Sequence, residues 1–156
     1  MYKSGLILGV LTLFVAAGCT VISPLCAPCA TIFLGLGAGY LAGVFDKPAT
    51  ANSASKAGAI GGAVGAVGAV LGQVAGTAIN TYIMTPQDLE ALYKNLGIAA
   101  GGPGFLQGYW AGMVASAICF SILDVLLMAG FGALGAYLWW RTTGQYTNPP
   151  SITPAI

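Results

Sequence analysis

Four stretches of the chain are each long and apolar enough to cross a lipid bilayer, for which a helix needs about 20 residues. They are residues 5–22, 26–45, 57–84 and 106–140. Charged side chains make up only 6% of the 156 residues, too few to cover a surface that faces water. The sequence therefore predicts an all-α, polytopic transmembrane bundle of four spans. Residues 1–141 would form a single domain, and residues 142–156 a proline-rich tail.

The first two spans are predicted to form a short helical hairpin. Only Ser23, Pro24 and Leu25 separate them, and a proline disfavours helical backbone at its own position and at the residue before it. Residues 46–56, with sequence DKPATANSASK, are polar and contain a proline, so we expect a solvated loop there. The bundle thus consists of a short hairpin followed by two longer helices.

The basic residues predict the orientation in the membrane. Four of them fall on one side of the spans, namely Lys3, Lys47, Lys56 and Arg141. Lys94 is the only one on the other side. Because cytoplasmic loops carry the excess of basic residues, both termini are predicted to be cytoplasmic, in a multi-pass protein of the bacterial cytoplasmic (inner) membrane.

The outer loop between the third and fourth spans carries the signature of a short amphipathic helix. Thr85, Pro86 and Asp88 provide an N-cap, a first-turn proline and a capping-box acid, and Gly97 provides a stop. The apolar residues recur at helical spacing as Leu89, Leu92, Tyr93 and Leu96. Two placements remain open: the helix lies on the outer membrane surface, or it packs on the protein's own helix ends.

Aromatic residues mark both ends of the fourth span, Tyr109 and Trp110 at one end and Tyr137, Trp139 and Trp140 at the other. A helix from Trp110 to Trp139 is about 43 Å long at 1.5 Å per residue. This length matches a bilayer with its interfaces. One continuous helix is therefore favoured over two short ones broken near Ser121.

Asp124 is the charged residue that the membrane tolerates least, because an ionised carboxylate at this depth costs about 3 kcal/mol or more. Gln73 lies 16 residues past Ala57, and Asp124 lies 16 residues before Trp140, so the two should share one depth. We predict an intramembrane polar clamp in which Asp124 is protonated or hydrogen-bonded to Gln73. The further candidate partners are Cys19, Thr20 and Thr31. The alternative role for Asp124 is a proton-carrying site.

Glycines recur at helical spacing in two spans and predict close helix packing. The third span carries Gly58, Gly61, Gly65, Gly68, Gly72 and Gly76, and the second carries Gly35, Gly39 and Gly43. On a helix of 3.6 residues per turn, the six glycines of the third span form one stripe that lets another backbone approach. The spacing leaves open whether this partner is a helix of the same chain, another copy or another protein.

Cys26 and Cys29 form a CxxC pair that resembles the redox pair of thioredoxin-like proteins and of membrane thiol oxidoreductases. With Cys19 and Cys119 they leave four interpretations: unpaired packing cysteines, a structural disulfide, a redox pair, or a metal site that uses all four. We expect unpaired cysteines and no metal. The AAGC sequence that ends at Cys19 also resembles a bacterial lipobox, which implies lipidation of this cysteine if the segment is cleaved.

Two resemblances extend over longer segments. SPLCAPC, AGYLAGVFDKP and DVLLMAGFGALGAYLWWR, together with the glycine-striped third span, resemble small four-span bacterial membrane proteins that carry no assigned activity. FSILDVLLMAGFGAL resembles the acid-bearing helix of rotary-ATPase proteolipids. The second resemblance implies a proton-carrying role for Asp124.

These observations favour a non-catalytic structural or accessory subunit, either in a larger membrane complex of the respiratory or photosynthetic kind or in a homo-oligomer. The alternatives are a proton or ion conductor that uses Asp124 and a thiol-disulfide protein that uses Cys26 and Cys29. Histidine is absent, and we expect no catalytic site, no cofactor and no soluble small-molecule substrate. The expected partners are the lipid bilayer and other integral membrane subunits or copies of the chain. No basic patch or phosphate-binding loop indicates nucleic acid or nucleotide as a partner.

Overall fold

The computed structural model describes residues 2–22, 26–97 and 104–147, and these ranges contain helices and no strands. Four helices are long and apolar enough to cross a membrane: α1 (Tyr2–Ile22), α2 (Cys26–Asp46), α3 (Ala51–Ile83) and α5 (Phe105–Trp139). The shorter α4 (Pro86–Asn95) lies between α3 and α5. A π-helical segment, Trp140–Gly144, and a last turn, α6 (Gln145–Thr147), continue from α5. This is the architecture of a multi-pass membrane protein, as predicted.

Helix α3 is the central element of the bundle. It packs along α1 on one side and along α5 on the other, while α2 packs mainly on α5 and also touches α1 and α3. The start of α1 and the end of α5 lie at the same end of the bundle, which we call the terminal end. Helix α4 marks the opposite end, the α4 end. The predicted turn at residues 23–25 and the tail beyond residue 147 lie outside the described residues.

The third helix begins at Ala51, six residues before the predicted start of the third span, and this corrects the predicted loop at 46–56. Thr50 caps the helix: its side chain accepts a hydrogen bond from the Ser53 backbone nitrogen at 3.2 Å, and the Ser53 hydroxyl lies 3.2 Å from the Thr50 backbone nitrogen. This reciprocal capping box stabilises the first turn whatever its hydropathy. The polar residues from Ala51 to Lys56 therefore form the first turns of α3, before its apolar part.

The amphipathic helix predicted between the third and fourth spans is present as α4. The Thr85 side chain accepts from the Asp88 backbone nitrogen at 3.3 Å, and the Asp88 carboxylate accepts from the Thr85 backbone nitrogen at 3.1 Å. Beyond the helix, Gly97 has a φ of 71°, a left-handed conformation that glycine adopts without strain. The predicted cap, first-turn proline and stop are thus all confirmed.

Helix α4 meets the bundle through only part of its apolar face. Leu89 is buried, and the ring of Tyr93 packs edge-on against Phe105 with ring centroids 5.2 Å apart. Leu92 and Leu96 remain 43% and 65% exposed. Contact with the protein's own helices therefore accounts for two of the four apolar residues, and burial of the other two in a membrane surface stays a prediction.

Helix α5 is continuous past Ser121, as predicted, but one of the aromatic residues at its terminal end was misassigned. Trp139 is only 4% exposed and packs against Gly43 of α2, so it belongs to the core and not to an interfacial belt. Tyr137 remains 36% exposed, and the Arg141 guanidinium lies 6.0 Å from the centre of its ring. The indole ring of Trp139 is buried because Gly43 has no side chain to occupy that space.

Candidate functional site

The polar clamp predicted around Asp124 brings α2, α3 and α5 together at the middle of the bundle. Asp124 is fully buried, with 0% of its surface exposed. The Gln73 side-chain nitrogen donates a hydrogen bond to Asp124 Oδ2, so the predicted contact between these two residues is present. The hydroxyl of Thr31, one of the three further candidates, lies 3.0 Å from Asp124 Oδ1.

The clamp has a fourth member that the sequence analysis missed. The hydroxyl of Ser121 donates to Gln73 Oε1 at 3.2 Å, so both ends of the Gln73 amide are bonded to α5. The signal was available, because Ser121 precedes Asp124 by three residues and therefore shares its helix face. Thr20 is not a member: its hydroxyl donates to the Ala16 carbonyl of its own helix at 2.7 Å. Within the residues that the structure describes, no hydrogen bond places Cys19 in the clamp either.

Counting hydrogens indicates which form of Asp124 suits this site. The Thr31 hydroxyl also lies 2.8 Å from the carbonyl oxygen of Pro28, and its single hydrogen serves one acceptor fully. When that hydrogen goes to Pro28, a protonated Asp124 can donate to Thr31 while still accepting from Gln73. In the part of the chain that the structure describes, no basic side chain forms an ion pair with Asp124. A neutral carboxylic acid satisfies every group in the clamp.

On the terminal side of the clamp, the helices pack backbone against backbone. A Cβ atom on Gly62 of α3 would overlap the carbonyl oxygen of Met128, and one on Gly58 or Gly39 would overlap that of Gly132. Met128, one turn from Asp124, is itself fully buried. These contacts leave no space for a side chain at Gly39, Gly58 or Gly62.

The predicted glycine stripe of α3 contacts more than one helix. Towards the α4 end it faces α1, where a Cβ on Gly68 or Gly72 would overlap a carbonyl oxygen and one on Gly76 would lie 2.7 Å from the Thr20 Cβ. Gly61 and Gly65 lie between α1 and a second neighbouring helix, and Gly58 faces α5. The six glycines lie on one stripe, but this stripe meets different helices along its length, because α3 crosses its neighbours at an angle.

The three predicted glycines of α2 all face α5. Gly35 and Gly39 lie against Met128 and Gly132, and Gly43 would place a Cβ 2.6 Å from the ring of Trp139. The partner left open by the spacing is thus within the chain for both glycine sets. The sequence analysis missed four glycines that complete these contacts from the other side, namely Gly5 and Gly9 of α1 and Gly132 and Gly135 of α5.

On the α4 side of the clamp, α3 and α5 diverge and leave a cleft. It consists of two neighbouring cavities of about 280 and 160 Å³, which share Asn80, Tyr109 and Met113 in their walls. The deeper cavity reaches Gln73 of the clamp, and the outer one ends at Pro86 and Leu89 of α4. One wall is rich in hydrogen-bonding groups, and the other is apolar and aromatic. We call this space the outer cleft, and its further lining residues are Thr20, Thr77, Thr81, Met84, Thr85, Trp110, Ser116, Ala117 and Phe120.

The back of α5 at this end, opposite the outer cleft, is unpacked. No residue from 105 to 123 whose burial is described is buried. A Cβ added to Gly104, Gly108 or Gly112 would meet no atom within 4 Å. With Ala111, Ala115 and Cys119, these glycines form a face of small residues, the small-residue face, that points away from the bundle.

The cysteines occupy the α4 end of the hairpin and the small-residue face. All four are free thiols, and Cys19 is partly buried while Cys26, Cys29 and Cys119 are exposed. Cys26 lies near Cys19 of the preceding helix, a proximity that the CxxC interpretation did not consider. Within the described residues, no group of three or more Cys, Asp or Glu side chains could hold a metal ion.

Comparison with known proteins identifies no relative of this chain. The chain matches no protein family, no curated protein and no solved structure at a significant level. The features that bear on function are therefore the clamp, the outer cleft and the small-residue face.

Proposed function

We propose that this chain is a non-catalytic structural subunit of a membrane assembly and that it binds its partner through the small-residue face of α5. The observation that carries this proposal is the contrast between its glycines. The glycine stripes of α2 and α3 are filled by helices of the same chain, whereas Gly108 and Gly112 meet no atom. Small residues spaced by four are the positions at which membrane helices approach one another most closely.

The chemistry of this face specifies the kind of partner. Gly108, Ala111, Gly112 and Ala115 offer no charge and little side-chain volume, so attraction has to come from close van der Waals contact. A transmembrane helix with its own small or flat apolar face fits this requirement. That helix belongs to another integral membrane subunit, as in respiratory or photosynthetic complexes, or to a second copy of the chain.

The distribution of basic residues supports a definite orientation for the assembly. Lys3, Lys47, Lys56 and Arg141 lie at the terminal end, and Lys94 lies on α4. We therefore place the terminal end in the cytoplasm of a bacterium and the α4 end, with the exposed part of α5, on the outer side. The partner helix would then pack mainly in the outer half of the bilayer.

The experiment that tests the proposal is mild detergent extraction of the chain from its native membrane, followed by native mass spectrometry. We expect a defined complex with a second integral subunit or a defined oligomer of this chain. Gly108→Leu and Gly112→Leu should each reduce the recovered complex by about tenfold or more, since a leucine holds the partner backbone away.

Gly18→Leu is the matched control, because a Cβ added to Gly18 would also meet no atom within 4 Å, but this glycine lies on α1. It should leave the complex intact. Recovery of a monomer from the unmodified chain, or equal loss of the complex in all three variants, would rule out binding through this face.

A further inference from the structure

The outer cleft is lined mainly by apolar surface, but polar side chains recur along its α3 wall at Gln73, Thr77, Asn80 and Thr81. From Gln73 to Met84 it extends roughly 16 Å along α3. Thr77 and Asn80 point into it from α3, and Ser116 from α5. The Asn80 side-chain nitrogen donates to the Thr20 carbonyl at 3.3 Å, which ties this wall to the last turn of α1.

Part of this hydrogen-bonding capacity is unused. In the described ranges, neither the Thr77 hydroxyl nor the Asn80 side-chain oxygen has a partner. An acyl chain in the cleft would leave the Asn80 oxygen without a donor, at a cost of about 1 to 3 kcal/mol, whereas water would donate to it and also bind Thr77. Cavities of about 280 and 160 Å³ hold several water molecules, each of which occupies about 30 Å³ in the liquid.

The two ends of this space differ. Towards α4 it widens to a rim formed by Thr85, Pro86 and Leu89. Towards the terminal end it stops at Gln73, beyond which Met128 is fully buried and the backbones of α3 and α5 meet at Gly62. The outer cleft therefore approaches the clamp from the α4 end of the bundle.

We propose that the outer cleft is a water-filled vestibule, open at the α4 end and closed at the terminal end, that brings water and small polar solutes to the Gln73–Asp124 clamp. This role goes beyond packing, because the vestibule makes the buried carboxyl group of Asp124 accessible to water from one side of the membrane. The proton on Asp124 would exchange through the vestibule. The titratable groups at the cleft include Tyr109, which lines it, and Asp88, whose carboxylate binds Thr85 at its rim.

The test is the reactivity of single cysteines in the full chain, reconstituted into phospholipid vesicles after the four native cysteines are replaced by serine or alanine. The reagent is a charged thiosulfonate that does not cross the bilayer, and mass spectrometry measures the modified fraction. Asn80→Cys and Ser116→Cys place a thiol in the outer cleft. Ile79→Cys and Ile118→Cys place one on the lipid-facing surface nearby, where the native side chains are 44% and 58% exposed.

Two further single cysteines assign the sides of the vesicle. Gln87→Cys lies on the exposed face of α4, and Asn52→Cys lies in the exposed first turn of α3 at the terminal end. The cleft thiols should react at least about tenfold faster than the lipid-facing thiols, because only a hydrated thiol forms the thiolate that reacts. They should also react from the side on which Gln87→Cys reacts.

The remaining outcomes all count against the vestibule. Equal rates for cleft and lipid-facing thiols would show that lipid or protein fills the cleft. Reaction from the Asn52→Cys side would show that the terminal end is open. Ser116→Cys replaces only one oxygen atom by sulfur and should preserve the fold. The test therefore remains decisive even if Asn80→Cys does not fold.

Discussion

The two halves of α5 are built from similar residues but make opposite kinds of contact. From Asp124 to Trp139 the helix buries a residue at every turn, and Gly132 and Gly135 touch the backbones of α2 and α3. From Phe105 to Leu123 its glycines meet no atom. Glycine therefore does not define a packing face by itself; a face is packed only where a second helix presents equally small residues at the same level.

This difference has a structural cause in the lengths of the helices. Helices α1 and α2 have 21 residues each, about 31 Å at 1.5 Å per residue, whereas α5 has 35. With the terminal ends aligned, the hairpin ends one to two turns past the clamp, where Asn80 of α3 binds the Thr20 carbonyl and α2 begins at Cys26. Beyond that level α5 has α3 on one side, separated from it by the outer cleft, and no helix on the other.

The largest expected effect comes from placing a side chain in the packed half. Gly62→Leu should lower the free energy of unfolding by more than about 3 kcal/mol, because the new side chain overlaps the Met128 carbonyl and the helices have to separate. Unfolding in mixed micelles of increasing dodecyl sulfate content, followed by circular dichroism, measures this change.

Gly112→Leu is the same substitution in the open half and should change stability by less than about 0.5 kcal/mol. A similar loss in both variants would mean that the open half of α5 is packed after all. A loss in neither would mean that the backbones of α3 and α5 can part at little cost.

The sequence predicted the bounds of the helices better than it predicted which helices pack against one another. Apolar length sets the spans, and the Thr85 and Asp88 pattern sets the start of α4, because both are local properties. The contact between Gln73 and Asp124 was also predictable, since two antiparallel spans place residues at depths that can be counted. The bounds of the helices and the depths of these two residues both follow from counting residues along a helix.

Which neighbouring helix each face of a helix meets could not be predicted in the same way. The spacing of glycines shows that they share a face, but the crossing angle decides which helix that face meets, and this depends on every side chain in the contact. Gly58 and Gly76 illustrate the point, since they belong to one stripe yet face α5 and α1. Trp139 was misassigned for the same reason, because its burial depends on the absence of a side chain at Gly43.

A smaller effect is expected where the two halves meet, at the clamp. Asp124→Ala should cost about 1 to 2 kcal/mol, because it leaves the Gln73 amide and the Thr31 hydroxyl without their shared partner. Asp124→Asn should cost less than about 0.5 kcal/mol, since its amide can donate to Thr31 and accept from Gln73 as a protonated acid does. The same unfolding assay applies, and an asparagine variant as unstable as the alanine variant would contradict a neutral Asp124.

The most local effect is expected in α4, which is stabilised by its cap more than by packing. Thr85→Ala removes the acceptor for the Asp88 backbone nitrogen and should destabilise α4 by about 1 kcal/mol without changing unfolding of the bundle. Hydrogen exchange of the α4 amides, compared with those of α3, measures this difference. Faster exchange in both helices would show that α4 supports the bundle rather than resting on its end.

The cap also predicts a pH dependence with a definite sign. The hydrogen bonds that the Asp88 carboxylate accepts, first from the Thr85 side chain and then from its backbone, hold the pKa of Asp88 below its usual value. A carboxyl group with a lowered pKa in the folded state stabilises that state above its ordinary pKa and loses this contribution as the pH falls through the lowered value. Exchange in α4 should therefore accelerate at acid pH in the unmodified chain, after correction for intrinsic exchange. In Asp88→Asn, which cannot ionise, the acceleration should be absent, and if it persisted the cap would not be its cause.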